Sequence, residues 1–273
     1  MINKGSGKIC LNLSPSSLNV FMQSPLLFYL TYIAKVPDDT PVPLCYSLSG
    51  NLVHSCLEKY ARGELDRDGV FSFFLLQWEE QGLDSHRNLQ NEVISKNDYI
   101  LALIRGLNIV DMHEDHVCEE IIEFPFVEND FMRIGLKGII DLQATQKDDK
   151  KPVLIDYKTS SSSEQNKDFE RQALFYNFLI HKKTNTLPAK TIFHYLKLGL
   201  PKVYSFSHEH LNLFEEELKV IANRILDYGA DISKYPAGKI ADIFNSKKQA
   251  CISEINRRKL LGLSNVSGPK TLI

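Results

Sequence analysis

A chain of 273 residues, with 43% hydrophobic and 24% charged residues, has the composition of an ordinary globular protein that can bury a sizeable core. The formal net charge of −2 excludes a uniformly basic coat for nucleic acid, although a local basic groove remains compatible with it. The five cysteines include no Cys-x-x-Cys pair, which argues against a disulfide scaffold or a zinc ribbon and fits a reducing compartment.

The N-terminal region is polar over its first nine residues, which we expect to be loose and which lack the apolar core of a signal peptide. No run of about 18 apolar residues follows, so we expect no membrane span. The predicted location is cytoplasmic, including association with the nucleoid, or the host cytoplasm for a viral protein. Ser14 and Pro15 then have the residue types of an N-cap and a first helical position, and predict a helix start.

A helix is predicted from Leu48 to Ala61, because apolar residues recur there with a period of 3.6. His54 lies beside this apolar stripe, one turn after Gly50. Such a histidine is either a hydrogen-bonded core residue or a neutral imidazole that reaches a metal.

The segment of about residues 63–116 is predicted to be a helical insertion, with a long helix from Asn88 to Asp111. A strand region is expected from Val117 to Phe126, where three glutamates are crowded together. One of them could approach a site, and the sequence does not decide whether Glu120 or Glu123 does so.

A β-hairpin is predicted next, with strands at Ile134–Ala144 and Val153–Tyr157 around a polar turn. Because side chains alternate along a strand, Asp156 and Lys158 share one face. If Asp141 ends the neighbouring strand on that face, two carboxylates and an ammonium converge. Two close carboxylates repel each other unless a cation lies between them, and Mg²⁺ suits such oxygen ligands.

The predicted elements after the hairpin are a helix from Lys167 to His181, two strands joined around Gly199, and a helix from His208 to Tyr228. In the first of these helices, Gln172 and Tyr176 are one turn apart and therefore neighbours. The pair could bind a phosphate through hydrogen bonds or pack at the edge of the helix.

The C-terminal extension, about residues 239–273, is basic, with seven basic residues against two acidic ones between Lys239 and Lys270. Its densest cluster is Arg257, Arg258 and Lys259. A surface that follows a nucleic-acid backbone would have this charge, and so would a solvated tail.

Four sequence pieces now follow one another in a fixed order: Gly50 to His54, Gly138 to Asp141, Ile155 to Thr159 and Gln172 to Tyr176. This order resembles the PD-(D/E)XK nucleases of the RecB-like branch, which includes nuclease domains of bacterial helicase–nucleases and CRISPR-associated RecB-like exonucleases. The resemblance covers roughly residues 14–206. It implies an α/β fold with a restriction-endonuclease-like core, in which helices flank a central mixed β-sheet. We expect residues 1–273 to form a single domain of this type.

The resemblance also implies roles for individual residues. His54, Asp141 and Asp156 would bind Mg²⁺ or Mn²⁺, with the backbone carbonyl of Tyr157 as a further ligand, and Lys158 would be the catalytic lysine. Gln172 and Tyr176 would position the DNA backbone. The contacts to DNA expected from Arg257, Arg258 and Lys259 rest on the local positive charge and not on the resemblance.

Two departures from the family limit what is implied. Many relatives bind an iron–sulfur cluster through four cysteines, but this chain has Ser24-Pro25 at the first position and only Cys251 near the C-terminus, so we expect no cluster. The chain also has no ATPase motif, so any helicase or recombination partner would be a separate protein.

The predicted function is a metal-dependent deoxyribonuclease, preferably an exonuclease in recombination, repair or phage-type DNA processing. The motifs do not distinguish exonuclease from endonuclease and do not define polarity. One alternative is a nuclease-fold subunit that binds DNA without cleaving it. A weaker alternative is an unrelated metal-dependent hydrolase of small phosphoesters.

Overall fold

The computed structural model of the chain describes residues 8–160, 167–239 and 245–262. These residues form six β-strands and eight α-helices, in the following order: β1 (Ile9–Leu13), α1 (Pro15–Gln23), α2 (Pro25–Phe28), α3 (Cys45–Ala61), α4 (Arg67–Glu80), α5 (Lys96–Asp111), β2 (His113–Glu128), β3 (Met132–Gln146), β4 (Pro152–Lys158), α6 (Lys167–Thr184), β5 (Lys190–Tyr195), β6 (Leu200–Tyr204), α7 (His208–Tyr228) and α8 (Lys248–Leu260).

The six strands form one mixed sheet, in which β1, β3, β4, β5 and β6 are neighbours in that order and β2 pairs with β3. The strands β3 and β4 are antiparallel, as are β5 and β6, whereas β1 is parallel to β3 and β4 is parallel to β5. A mixed sheet accompanied by helices confirms the predicted α/β, restriction-endonuclease-like fold. No helix in the described part of the chain is both long and apolar enough to cross a lipid bilayer.

The first strand was not predicted, and the expectation of a loose segment up to residue 9 is wrong at its end. Ile9 begins β1, which pairs with β3 from Ile9↔Met132 to Leu13↔Leu136. The alternation of apolar Ile9, Leu11 and Leu13 with polar positions was a signal for a strand. The prediction of α1 is confirmed, since the Ser14 hydroxyl accepts the backbone N–H of Ser17 and Pro15 begins the helix.

The helix expected from residue 88 begins later, at Lys96, behind the N-cap Ser95. The preceding residues form a turn instead, because the side chain of Asn88 accepts the backbone N–H groups of Gln90 and Glu92. Asparagine competes in this way with the helical backbone, which explains the later start.

The chain forms two compact units. One comprises Pro43–Ile122 and the described residues of Gly138–Leu211, and its core packs apolar residues of α3, α4 and α5 together with residues of β3 and β4. The α3–α5 contact is close, because a Cβ atom at Gly106 would lie 2.6 Å from Leu57. Glycine at this position therefore lets the two helices approach.

The other unit comprises the described residues of Met1–Val42, Glu123–Lys137 and Asn212–Ile273. Its helix α8 is held at its N-terminus by Asp39, whose carboxylate accepts the backbone N–H groups of Gln249 and Ala250. The predicted basic extension lies partly outside the described residues, including Lys270. The prediction of a single nuclease domain with a helical insertion stays a prediction.

Candidate active site

The centre of the candidate site is the carboxylate of Asp141, on β3. Its Oδ2 atom accepts a hydrogen bond from the backbone N–H of Tyr157 at 2.8 Å and lies 3.4 Å from Nδ1 of His54. The backbone of β4 therefore orients one oxygen of this carboxylate toward the imidazole. The predicted approach of His54 and Asp141 is present in the structure.

The helix α3 brings His54 to this position. Leu52, Val53, Cys56 and Leu57 are buried in the core, which fixes the rotation of the helix about its axis. One turn before His54, a Cβ atom at Gly50 would lie only 3.0 Å from the hydroxyl of Thr159, directly after β4. The absence of a side chain at Gly50 lets α3 approach the end of the strand that carries Lys158.

A third potential ligand, Glu119 on β2, completes a cluster with His54 and Asp141. One ligand atom from each of the three side chains lies within 4.8 Å of the other two. Glu119 has a φ of 51°, a left-handed conformation that is uncommon for a residue other than glycine. Such a residue inside a strand interrupts the regular alternation and redirects its side chain.

The other two glutamates of this strand have different partners. Glu120 forms an ion pair with Lys183 and accepts a hydrogen bond from Gln143, whereas Glu123 forms an ion pair with Lys137. Glu120 and Glu123, the two glutamates that the sequence left as candidates, are therefore paired with lysines and do not belong to the cluster. The residue that joins the cluster is Glu119.

The predicted shared face of β4 is confirmed by the contact between Asp156 and Lys158. Oδ2 of Asp156 lies 2.7 Å from Nζ of Lys158, and the two side chains are 5% and 17% exposed. A pair this shielded from water interacts more strongly than an exposed pair, provided that its remaining polar atoms are also satisfied.

Gln172, on α6, forms hydrogen bonds with both members of this charged pair. Its amide nitrogen donates to Oδ1 of Asp156 at 3.0 Å and to the hydroxyl of Tyr176 at 2.7 Å. Its amide oxygen accepts from Nζ of Lys158 at 3.0 Å. The two helical neighbours therefore extend the hydrogen-bond network of the charged pair, and their contact with DNA stays a prediction.

The charges of the site shift the protonation of His54 and Asp141. Burial by itself would lower the pKa of His54, but the charge and hydrogen bond of Asp141 raise it to about 9. Burial also opposes ionisation of Asp141, but the His54 charge and hydrogen bond keep the pKa of that carboxyl below its usual value. Without a bound cation, the pair is therefore an imidazolium and a carboxylate near neutral pH.

The pKa values of the other two carboxyl groups, those of Glu119 and Asp156, are raised. Burial and the negative charge of Asp141 raise the pKa of Glu119 to about 7. Burial also raises the pKa of Asp156 to about 6, with Lys158 opposing this shift and Asp141 adding to it. Both carboxyl groups would be stabilised in their ionised forms by an added positive charge.

The donor set suits a divalent cation. One imidazole nitrogen and two carboxylates, from His54, Glu119 and Asp141, are compatible with Mn²⁺, and the carboxylate oxygens are also ligands for Mg²⁺. The raised pKa of Glu119 supports this fit, because burial and the charge of Asp141 both disfavour its ionised form, which a cation would stabilise.

Two predicted ligands remain as predictions. The carboxylate of Asp156 is held by Lys158 and Gln172, and the three-residue cluster does not include it. The backbone N–H of Tyr157 donates to Asp141, and its ring packs edge-on against His54 at a centroid distance of 6.0 Å. These contacts orient the cluster whether or not the Tyr157 carbonyl is a ligand.

The basic residues of α8 differ in their surroundings. Arg257 is exposed and forms an ion pair with Glu254, and Lys259 is exposed. Arg258 is 3% exposed and donates hydrogen bonds to the carbonyl groups of Ile232 and Tyr235. Contrary to the prediction, the Arg258 guanidinium stabilises its own unit because its donors are engaged inside the protein.

Comparison with known proteins identifies the family. No curated protein matches the sequence. A solved structure described as "Crystal structure of SSO0001" is 14% identical, with 72% of this chain and 82% of that chain covered and a TM-score of 0.30. The model of the PD-(D/E)XK nuclease superfamily matches residues 12–240, a range that contains every member of the cluster and of the hydrogen-bond network. By this match, the chain belongs to the PD-(D/E)XK nuclease superfamily.

Proposed function

We propose that this protein is a metal-dependent deoxyribonuclease of the RecB-like branch, and that it acts as an exonuclease on DNA ends. The observation that carries the proposal is the convergence of Asp141, Asp156 and Lys158 in a chain of the nuclease superfamily. A hydrolase of phosphodiesters needs a site for a cation and a positive charge near the phosphoryl group, and these residues can supply both.

The protein groups have separate roles in this proposal. His54, Glu119 and Asp141 would hold Mg²⁺ or Mn²⁺, which when bound supplies an activated water and neutralises negative charge. The ammonium of Lys158 stabilises the charge that develops on the phosphoryl oxygens. Asp156 forms an ion pair with Lys158 and thereby limits the orientations of that ammonium.

The substrate contacts and partners belong to the same proposal. Gln172 and Tyr176 position the DNA backbone near Lys158, and the exposed Arg257 and Lys259 add contacts to phosphates. A separate helicase or recombination protein would deliver DNA ends, in recombination, repair or phage-type DNA processing.

The experiment that tests the proposal is cleavage of end-labelled linear and circular DNA, both single- and double-stranded, with Mg²⁺, Mn²⁺ or EDTA. We expect cleavage of linear DNA that requires a metal and is lost in Lys158→Ala. Circular substrates that stay intact would support an exonuclease, and nicked circles would support an endonuclease.

The control is Lys197→Ala, because the ammonium of Lys197 lies over the ring of Tyr99, a residue outside the metal-ligand cluster and the hydrogen-bond network of Lys158. Metal-independent DNA binding without cleavage by a folded wild-type protein would contradict the proposal. That result would favour the DNA-binding subunit.

A further inference from the structure

The ammonium of Lys158 has two aromatic neighbours as well as its two polar partners. Nζ lies 4.8 Å from the ring centroid of Phe169 and 4.8 Å from that of Phe193. Both distances are within the range of about 6 Å in which a cation is attracted to the negative face of an aromatic ring. Two rings and two oxygen atoms therefore surround this charge.

The two aromatic residues come from the sheet and from α6, each of which also carries a polar partner of Lys158. Phe193 lies on β5, in register with Asp156 on the parallel strand β4. Phe169 lies on α6, three residues before Gln172 and therefore on the same side of the helix. The sheet and the helix thus each present one ring and one oxygen to the ammonium.

The two rings also support each other. Their centroids are 5.9 Å apart and their planes are inclined at 73°, an edge-to-face arrangement that is favourable for aromatic pairs. Phe193 is fully buried and also contacts Tyr204, whereas Phe169 is partly buried. Packing therefore restricts the orientation of both rings, and a ring of fixed orientation restricts the cation above it.

We propose that Phe169 and Phe193 are positioning residues, which hold the Lys158 ammonium in the orientation required for phosphodiester cleavage. This inference rests on the proposed nuclease function. An ammonium held only by Asp156 and Gln172 would follow the movements of those polar groups. The two ring faces add an attraction that is independent of them and that partly replaces lost hydration.

The first test measures the contact without reference to activity. Urea unfolding of Phe169→Leu, Lys158→Met and the double variant forms a double-mutant cycle. We expect Phe169→Leu to lower the urea midpoint less in the Lys158→Met background than in the wild type. Phe206→Leu is the matched control: Phe206 packs against the same aromatic cluster but is not one of the two rings near the Lys158 ammonium, so its midpoint shift should be equal in both backgrounds.

The second test separates positioning from substrate binding. In the metal-loaded enzyme we expect Phe169→Leu to reduce kcat about tenfold while KM changes less than about twofold. Phe169→Tyr, which keeps the aromatic face, should restore most of the rate, whereas Phe206→Leu should leave it unchanged.

The inference requires both results. Equal midpoint shifts for Phe169→Leu in the two backgrounds, or an unchanged kcat in an active enzyme, would each overturn it. Absence of cleavage by the wild type would instead overturn the proposed nuclease function together with the catalytic part of this inference. In that event the urea cycle would still show whether the rings and the ammonium interact.

Discussion

The amide oxygen of Gln172 accepts a hydrogen bond from the ammonium of Lys158 at 3.0 Å. The nitrogen of the same amide donates to Asp156, so one side chain satisfies groups of opposite charge. An amide can do this because it has a donor and an acceptor on one planar group, whereas a carboxylate has only acceptors.

The first prediction concerns this dual contact. Gln172→Met keeps the approximate length of the side chain but leaves Asp156 and Lys158 without their amide partner. We expect the free energy of unfolding to fall by about 1–3 kcal/mol, the usual cost of a lost hydrogen bond to a charged group. Urea unfolding in EDTA measures this change.

Gln172→Glu is the companion variant. It retains an acceptor for Lys158 but places a second carboxylate against Asp156, which would raise the pKa of Asp156 further. We expect it to be destabilised more at pH 8 than at pH 5.5, where Asp156 is more protonated. A pH-independent loss would show that packing, and not charge, explains the effect.

The second prediction concerns the backbone of Glu119. Glu119→Gln and Glu119→Gly both remove the carboxylate, so both should weaken Mn²⁺ binding, which isothermal titration calorimetry measures. Only glycine relieves the left-handed conformation, whose cost is about 1–2 kcal/mol for other residues. We therefore expect Glu119→Gly to be about 1 kcal/mol more stable than Glu119→Gln in the absence of metal.

The contrary outcomes are distinct. Equal stability of the two variants would mean that the left-handed backbone stores no energy at Glu119. Unchanged Mn²⁺ affinity in both variants would mean that Glu119 is not a ligand. Glu123→Gln, which removes a carboxylate already paired with Lys137, is the control for a nonspecific effect of charge.

The third prediction is a pH dependence of metal binding. The pKa of His54 is raised from 6.5 to about 9, so the histidine is protonated at neutral pH in the metal-free protein. A cation that binds its ring nitrogen must displace that proton. We expect the Mn²⁺ affinity to rise with pH up to about pH 9, by at most about tenfold per pH unit for this one proton.

The stability of the metal-free protein, in contrast, should fall as the pH rises. Because the folded-state pKa of His54 is raised, its ion pair with Asp141 stabilises the protein fully below pH 6.5 and is lost as the pH rises through about 9. Urea midpoints across this range measure the loss, and His54→Gln should remove this component. A pH-independent Mn²⁺ affinity would contradict the assignment of His54 as a ligand.

The fourth prediction separates Arg258 from Lys259. Arg258→Met should lower the free energy of unfolding by about 3 kcal/mol, because it leaves the carbonyl groups of Ile232 and Tyr235 without their charged donor and removes one of the two arginines paired with Glu254. Lys259→Glu should change stability by less than about 0.5 kcal/mol, since Lys259 is exposed.

DNA binding, in contrast to stability, should depend more on Lys259 than on Arg258. If α8 contacts phosphates, Lys259→Glu should weaken binding and reduce its dependence on salt concentration. Fluorescence anisotropy with labelled DNA at several salt concentrations measures this dependence. An unchanged salt dependence would remove α8 from the proposed DNA-binding surface.

Local patterns were sufficient for much of the fold. The hairpin of β3 and β4 could be predicted because apolar runs flank a polar turn, and α7 because its apolar residues recur with helical periodicity. The pairing of Asp156 with Lys158 also followed from sequence, because a period of two places them on one face of β4. These predictions depend on geometry within one element or between sequence neighbours.

Tertiary structure decided the rest of the site. Alternation along β2 could not select Glu119 over its neighbours, because a left-handed residue interrupts the alternation and no glycine marks the position. The sequence likewise did not show that Phe169 and Phe193 contact Lys158, or that Arg258 is buried. Each of these facts depends on packing between elements that are distant in the chain, whereas the residue types and their periodicity determine only which face each side chain can present.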